Sequence, residues 1–98
     1  MAALTVKWSD IALQRIYEIA DFIAKDAPQA AAKWIETLFE QEKNLRQLPF
    51  IGRMVPEVKK ENVREILIGN YRLIYKIVEK EIWILTVKNQ REKILDEL

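Results

Sequence analysis

The chain has 98 residues, half of them apolar and 32% charged, which is the length and composition of one globular domain, expected to span residues 1–98. Its 16 basic and 15 acidic side chains leave a net charge of +1, which excludes a polycationic coat for nucleic acid while leaving room for a local basic patch. There is no cysteine and no histidine, so disulfides, thiolate zinc sites, cysteine nucleophiles and the commonest neutral-pH base and transition-metal ligand are all excluded.

Leu4, Val6 and Trp8 alternate with Thr5 and Lys7, the pattern of a short strand with one apolar face. Ser9 or Asp10 can cap the segment that follows. Ile11, Ile16, Ile19, Ala20 and Ile23 recur at helical spacing and predict a helix over about 10–25. Asp26 and Gln29 have the spacing of a capping box, and Pro28 lies in the first turn, where a missing N–H costs little. A second helix is predicted from about 27 to 47, with Ala31, Trp34, Ile35, Leu38, Leu45 and Leu48 on its buried side. The linker is short enough to make the two helices an antiparallel pair.

Pro49 ends the second helix, and the segment PFIGRMVPEVKKEN reads as irregular. The period then changes from 3.6 to 2. Val63, Glu65 and Leu67 alternate with Arg64, Ile66 and Ile68, and Gly69-Asn70 marks a tight hairpin. Tyr71, Leu73, Tyr75 and Ile77 share one face of the next strand, with Arg72, Ile74, Lys76 and Val78 on the other. After a turn at Glu79-Lys80, Ile82, Ile84 and Thr86 alternate with Trp83, Leu85 and Val87. The last eleven residues read as a polar connection with one or two helical turns. The expected fold is α+β: an N-terminal strand and an antiparallel two-helix hairpin packed on a twisted antiparallel sheet of about four strands. The N-terminal strand can close one edge beside the last strand, although its partner stays open. No apolar run approaches the length of a membrane span, and no apolar stretch near the N-terminus suggests a signal peptide, so a soluble cytoplasmic protein is the default.

Carboxylates offer little chemistry. Glu36 and Glu40 are four apart on a helix and would need further ligands to hold magnesium, so neither a metal nor a cofactor is expected. The basic residues say more. Residues 53–98 carry 10 basic and 8 acidic groups, against 6 and 7 in residues 1–52. Arg64, Arg72, Lys76, Lys88 and Arg91 fall on or just after the predicted strands, where they can pair with phosphate or a partner's carboxylates. The alternative is that they are ion-paired surface residues. A two-residue turn at Gly69-Asn70 would pair Leu67 with Arg72 and Arg64 with Tyr75, on opposite faces of the sheet. A bulge or longer turn there would reunite the two arginines. Lys88 and Arg91 are expected to follow the last strand and bend over its end.

The segment from Pro49 to Arg91 resembles the RelE/ParE toxin superfamily of plasmid-stabilisation and type II toxin–antitoxin systems. The resemblance rests on P-F-x-G-R at 49–53, P-E at 56–57, V-R-E-I at 63–66, G-N-Y-R-L-I-Y-K-I at 69–77, and the strand I-W-I-L-T-V running into Lys88 and Arg91. It implies a small growth-inhibiting toxin bound by a cognate antitoxin that folds on binding, with an oligomer formed through that antitoxin. In one branch, ParE-like members bind DNA gyrase and are not nucleases. In the other, RelE- and YoeB-like members cleave messenger RNA at the ribosome without metal. Glu57 and Arg64 match a carboxylate base and an arginine of YoeB-like nucleases, and Arg72 matches an arginine kept in both branches. Where nucleases carry a histidine or tyrosine, this chain has Lys88-Asn89-Gln90. Three readings therefore stand: a ParE-like gyrase inhibitor binding through Arg64, Arg72, Lys88 and Arg91; a nuclease using Glu57, Arg64, Arg72 and Lys88; and a degenerate binding protein. The near-neutral charge and missing histidine favour the first.

Overall fold

The computed structural model describes residues 3–93. In chain order the elements are β1 (Thr5–Trp8), α1 (Asp10–Asp26), α2 (Pro28–Gln47), β2 (Arg53–Met54), β3 (Val63–Ile68), β4 (Tyr71–Val78) and β5 (Glu81–Asn89). The α+β fold expected from the change of period is the one observed, with a helical pair on one face of a sheet. The sheet itself has five strands in the order β1-β5-β4-β3-β2 and is mixed. β1 takes the open edge beside β5 and runs parallel to it, pairing Val6 with Ile82 and Trp8 with Ile84. The fifth strand is the two-residue β2, which pairs Arg53 with Glu65 and Met54 with Arg64 inside a segment whose prolines and glycine read as irregular.

Local chemistry explains the helix ends. Ser9 caps α1: its hydroxyl accepts from the Ala12 N–H at 3.0 Å and donates to the Leu85 carbonyl at 2.7 Å. The capping box expected at Asp26 and Gln29 does not form. α1 continues through Asp26, and Ala27 alone serves as C-cap of α1 and N-cap of α2, with no side-chain capping bond. Pro28 opens α2, where no intrahelical N–H is needed, and Leu48, expected on the buried side, is instead the C-cap beyond the last turn and is exposed.

The core lies between the helices and the sheet. Ala12 and Ile19 of α1 and Trp34, Leu38 and Leu45 of α2 meet Ile68, Leu73, Tyr75, Ile82, Ile84 and Val87. A smaller cluster of Val55, Val63 and Ile74, with Val58 against it, lies apart from this core. Tyr75 locks the chain that leaves α2: its hydroxyl donates to the Pro49 carbonyl at 2.8 Å and accepts from the Gly52 N–H at 3.0 Å. That approach requires glycine, since a Cβ at position 52 would lie 2.5 Å from the Glu65 carbonyl oxygen and 2.7 Å from the Tyr75 hydroxyl.

The β3–β4 hairpin closes with a two-residue loop, pairing Ile68 with Tyr71, Leu67 with Arg72 and Arg64 with Tyr75. Gly69 takes a φ of +58°, a conformation glycine adopts freely. The irregularity in the sheet falls between β4 and β5. Tyr75 pairs with Ile84 and Ile74 with Thr86, so Leu85 is an extra residue in β5. The simple alternation expected beyond Ile84 is therefore reversed. Val87, not Thr86, joins the core, and Thr86 lies on the Ile74 side of the sheet.

Candidate functional site

The face of β3 and β4 turned away from the helices carries charge instead of a second full core. Glu65 and Arg72 fall on it by alternation, because Glu65 shares a face with Leu67 and Leu67 pairs with Arg72. Both are almost completely buried, at 1% and 5% exposed. Arg72 donates from Nε to Glu65 Oε1 at 2.6 Å and makes a forked pair with Glu57, Nη1 to Oε2 at 2.7 Å and Nη2 to Oε1 at 2.8 Å. Its Nη1 also donates to the Glu92 backbone carbonyl at 3.1 Å. Glu65 receives a second cation, Arg53, whose Nε lies 2.6 Å from Oε2. Two guanidinium groups and two carboxylates thus form one chain from the exposed Arg53 to the loop that holds Glu57. Hydrogen bonding to Glu57, opposed by burial and reinforced by Glu65, pushes the Arg72 pKa above its ordinary value, so its charge is permanent.

Lys88 stands directly across from Arg72 in the β4–β5 ladder. It lies within β5, not beyond it as the sequence suggested. The extra residue Leu85 puts it there: without the bulge, Lys88 would share the face of Ile82 and Ile84 and point into the core. Lys88 lies 3.8 Å from Glu92.

The structure brings together Glu57, Arg72 and Lys88 among the residues singled out from sequence, and separates the other two. Arg64 faces the opposite side of the sheet, as the two-residue hairpin requires. It donates to the carbonyls of Glu61 and Gly52 at 2.8 and 2.9 Å and stacks on Phe50 with 4.8 Å to the ring centroid. Arg91 lines a depression at the Asn70 end of the sheet with Asn89 and Gln90. Its backbone N–H is held by the Asn89 side chain at 3.0 Å. Residues 94–98, where further helical turns were expected, lie outside the described residues.

Sequence reasoning missed Glu65 and Arg53 as members of the site, although the hairpin register placed Glu65 diagonal to Arg72. It also missed a groove of about 410 Å³ between the start of α1 and the loop after β2. Arg15, Lys60, Lys76 and Lys88 line it, and they come from four separate elements whose convergence only the fold reveals. Arg15 is fixed there by donating to the Val87 carbonyl at 2.9 Å and by Glu92 at 3.0 Å. Among the described residues, no three His, Cys, Asp or Glu side chains are grouped to hold a metal ion, and no helix is long and apolar enough to cross a membrane.

Residues 6–94 match the family described as the ParE toxin of type II toxin–antitoxin system, parDE. No curated protein matches the chain. Among solved structures, the chain resembles one from the chromosomal ParDE toxin–antitoxin system of P. aeruginosa, with 24% identity, a TM-score of 0.72, and coverage of 89% of this chain and 96% of that one. It also resembles a chain of the toxin–antitoxin complex RelBE2 from Mycobacterium tuberculosis, with 21% identity, a TM-score of 0.60, and coverage of 89% and 98%. At these identities the two structures speak to the fold.

Proposed function

The chain belongs to the ParE toxin family of type II toxin–antitoxin systems, and on that premise we propose that it inhibits DNA gyrase by binding it, with no bond-breaking chemistry of its own. A toxin of such a system has an antitoxin as its partner. The observation that carries the reading is the state of Glu57. Both of its carboxylate oxygens are bound by Arg72 in a forked pair, whose charge does not titrate near neutrality. A carboxylate held in this way is a poor proton acceptor. The arrangement works instead as a clamp that ties the 55–60 loop to the sheet and fixes the surface a partner meets. Lys88, beside the clamp, and Arg91, at the end of the same sheet, supply cations for that surface.

The test is controlled expression with DNA, RNA and protein synthesis followed separately. Early arrest of DNA replication with intact messages is the expected result. Early arrest of translation with cut messages would reject the proposal in favour of a ribosome-dependent messenger-RNA endonuclease using Glu57, Arg64, Arg72 and Lys88. Normal growth with a folded protein would mark a member that keeps only the scaffold.

A further inference from the structure

We propose that Arg15, Lys88 and the Asn89 N–H form an oxyanion site that the chain fills with its own Glu92, and that an external oxyanion takes the same place and releases residues 91–93. This goes beyond the gyrase reading and does not depend on it. Glu92 Oε1 accepts from Arg15 Nη2 and from the Asn89 N–H, each at 3.0 Å, and Oε2 lies 3.8 Å from Lys88 Nζ. Donors from α1 and β5 thus surround one carboxylate. They are held by contacts that do not involve Glu92. Arg15 donates from Nε to the Val87 carbonyl at 2.9 Å and from Nη1 to Glu18 at 3.3 Å. Lys88 and Asn89 are fixed in the β4–β5 ladder, opposite Arg72 and Tyr71. The donors therefore stay in position when the carboxylate leaves, and a preorganised site of this kind costs little to reoccupy.

The same residue fastens the chain beyond β5. Gln90 is still tied to the β3–β4 turn, donating from its N–H to the Asn70 carbonyl at 2.7 Å and from Nε2 to the Gly69 carbonyl at 2.6 Å. Among the described residues, the hydrogen bonds and ion pairs that join 91–93 to α1 and β4 all come from Glu92: its carboxylate to Arg15, and its carbonyl, which accepts from Arg72 Nη1 at 3.1 Å. The Glu92 side chain is 43% exposed, whereas that of Glu65 in the clamp is wholly buried. Exposed ion pairs are individually weak and screened by salt, so this fastening opens at far less cost than the buried one. Arg72 keeps Glu57 and Glu65 when Glu92 departs, so the clamp stays shut while the segment is released.

The experiment is 15N NMR of the full chain, with inorganic phosphate as the probe. In Glu92→Ala the amides of 91–93 should become mobile, read as a fall in their heteronuclear NOE, while the amides of β4 and β5 keep their native shifts apart from those at the site itself. Phosphate should bind this variant at least about tenfold more tightly than the native chain, where Glu92 competes for the donors. Its binding should move the Arg15 Nε–H and Asn89 N–H signals, and sodium chloride at equal ionic strength should not reproduce those movements. Arg15→Gln breaks the fastening from its other side, so it should free the same amides and bind phosphate at least about tenfold more weakly than Glu92→Ala. The proposal is overturned if residues 91–93 stay ordered in both variants, if phosphate binds the native chain and Glu92→Ala equally or binds neither, or if chloride gives the same shifts as phosphate.

Discussion

The two faces of the sheet are built from the same strands and solve different problems. On the helix side, Leu73, Tyr75, Ile82, Ile84 and Val87 are buried against α1 and α2, and the driving force is apolar area removed from water. On the other side the cover around Glu57 is a loop without regular structure, and Arg53, Glu65, Arg72 and Glu57 replace apolar packing with paired charge. Buried ion pairs of this kind add little net stability over apolar residues of the same shape, yet breaking one is costly. The helix face therefore supplies cohesion. The charged face supplies position, because its bonds fix which loop lies where.

The most damaging change should be deletion of Leu85. It removes the bulge, so the faces of Thr86, Val87 and Lys88 are exchanged, with Lys88 turned into the core and Val87 out of it. Loss of cooperative unfolding in urea is expected, since the penalty approaches the total stability of a domain this size. A variant that unfolds as cooperatively as the native chain would show that the two faces are interchangeable there.

Glu65→Ala comes next. It leaves Arg72 buried with only Glu57 to balance it and should cost about 3–5 kcal/mol. Replacing Glu65 and Arg72 together by Leu and Met should recover much of that loss, while loosening the 55–60 loop against proteolysis. Urea denaturation and limited proteolysis separate the two effects, and equal losses in the single and double variants would contradict the division between cohesion and position.

On the helix face, Tyr75→Phe abolishes the bonds to Pro49 and Gly52 and should cost about 1–3 kcal/mol. It should also change the alkaline limb. Burial raises the Tyr75 pKa above its ordinary value of 10.0, against a smaller lowering by the Gly52 N–H. The stability tied to this proton is whole below the unfolded value, where both states hold it, and is lost as pH rises through the folded one. Stability, read from urea denaturation across about pH 9 to 12, should therefore fall more steeply for the native chain than for Tyr75→Phe.

The smallest effect serves as a control that touches neither face. Glu79 has a φ of 55° in the β4–β5 turn, a conformation costly for a side chain with a Cβ. Glu79→Gly should stabilise by up to about 1 kcal/mol, read from the shift in the urea midpoint.

Much of this was legible before any coordinates. The change of period at Pro49–Pro56 separated helices from strands because the two patterns differ over long, continuous stretches. Counting through a two-residue turn at Gly69 put Arg64 and Arg72 on opposite faces, but a bulge or longer turn stayed open, and the observed register decides for the two-residue turn. Other features depend on the assembled chain. The parallel docking of β1 is set by the free edge of β5 and by α2, whose Arg46 carbonyl accepts from the Leu4 N–H at 3.1 Å. The bulge at Leu85 leaves no glycine or proline as a marker, and it alone decides that Lys88 meets Arg72. The capping box at Asp26 has the right letters, but α1 runs through it and leaves one residue between the helices.

The placement of β1 sets an order of events during synthesis. The helical hairpin and the β3–β4 pair bring together residues close in the chain and can form early, whereas Ser9 meets Leu85 only across a separation of 76 positions. Contacts of such long range form late and slow the search for the native state. A chain still on the ribosome lacks the strand against which its first strand must lie, so its sheet cannot be completed before β5 has emerged. The two ends of the β1–β5 pairing are thereby joined last, after the helices and the β3–β4 hairpin that lie between them in the chain.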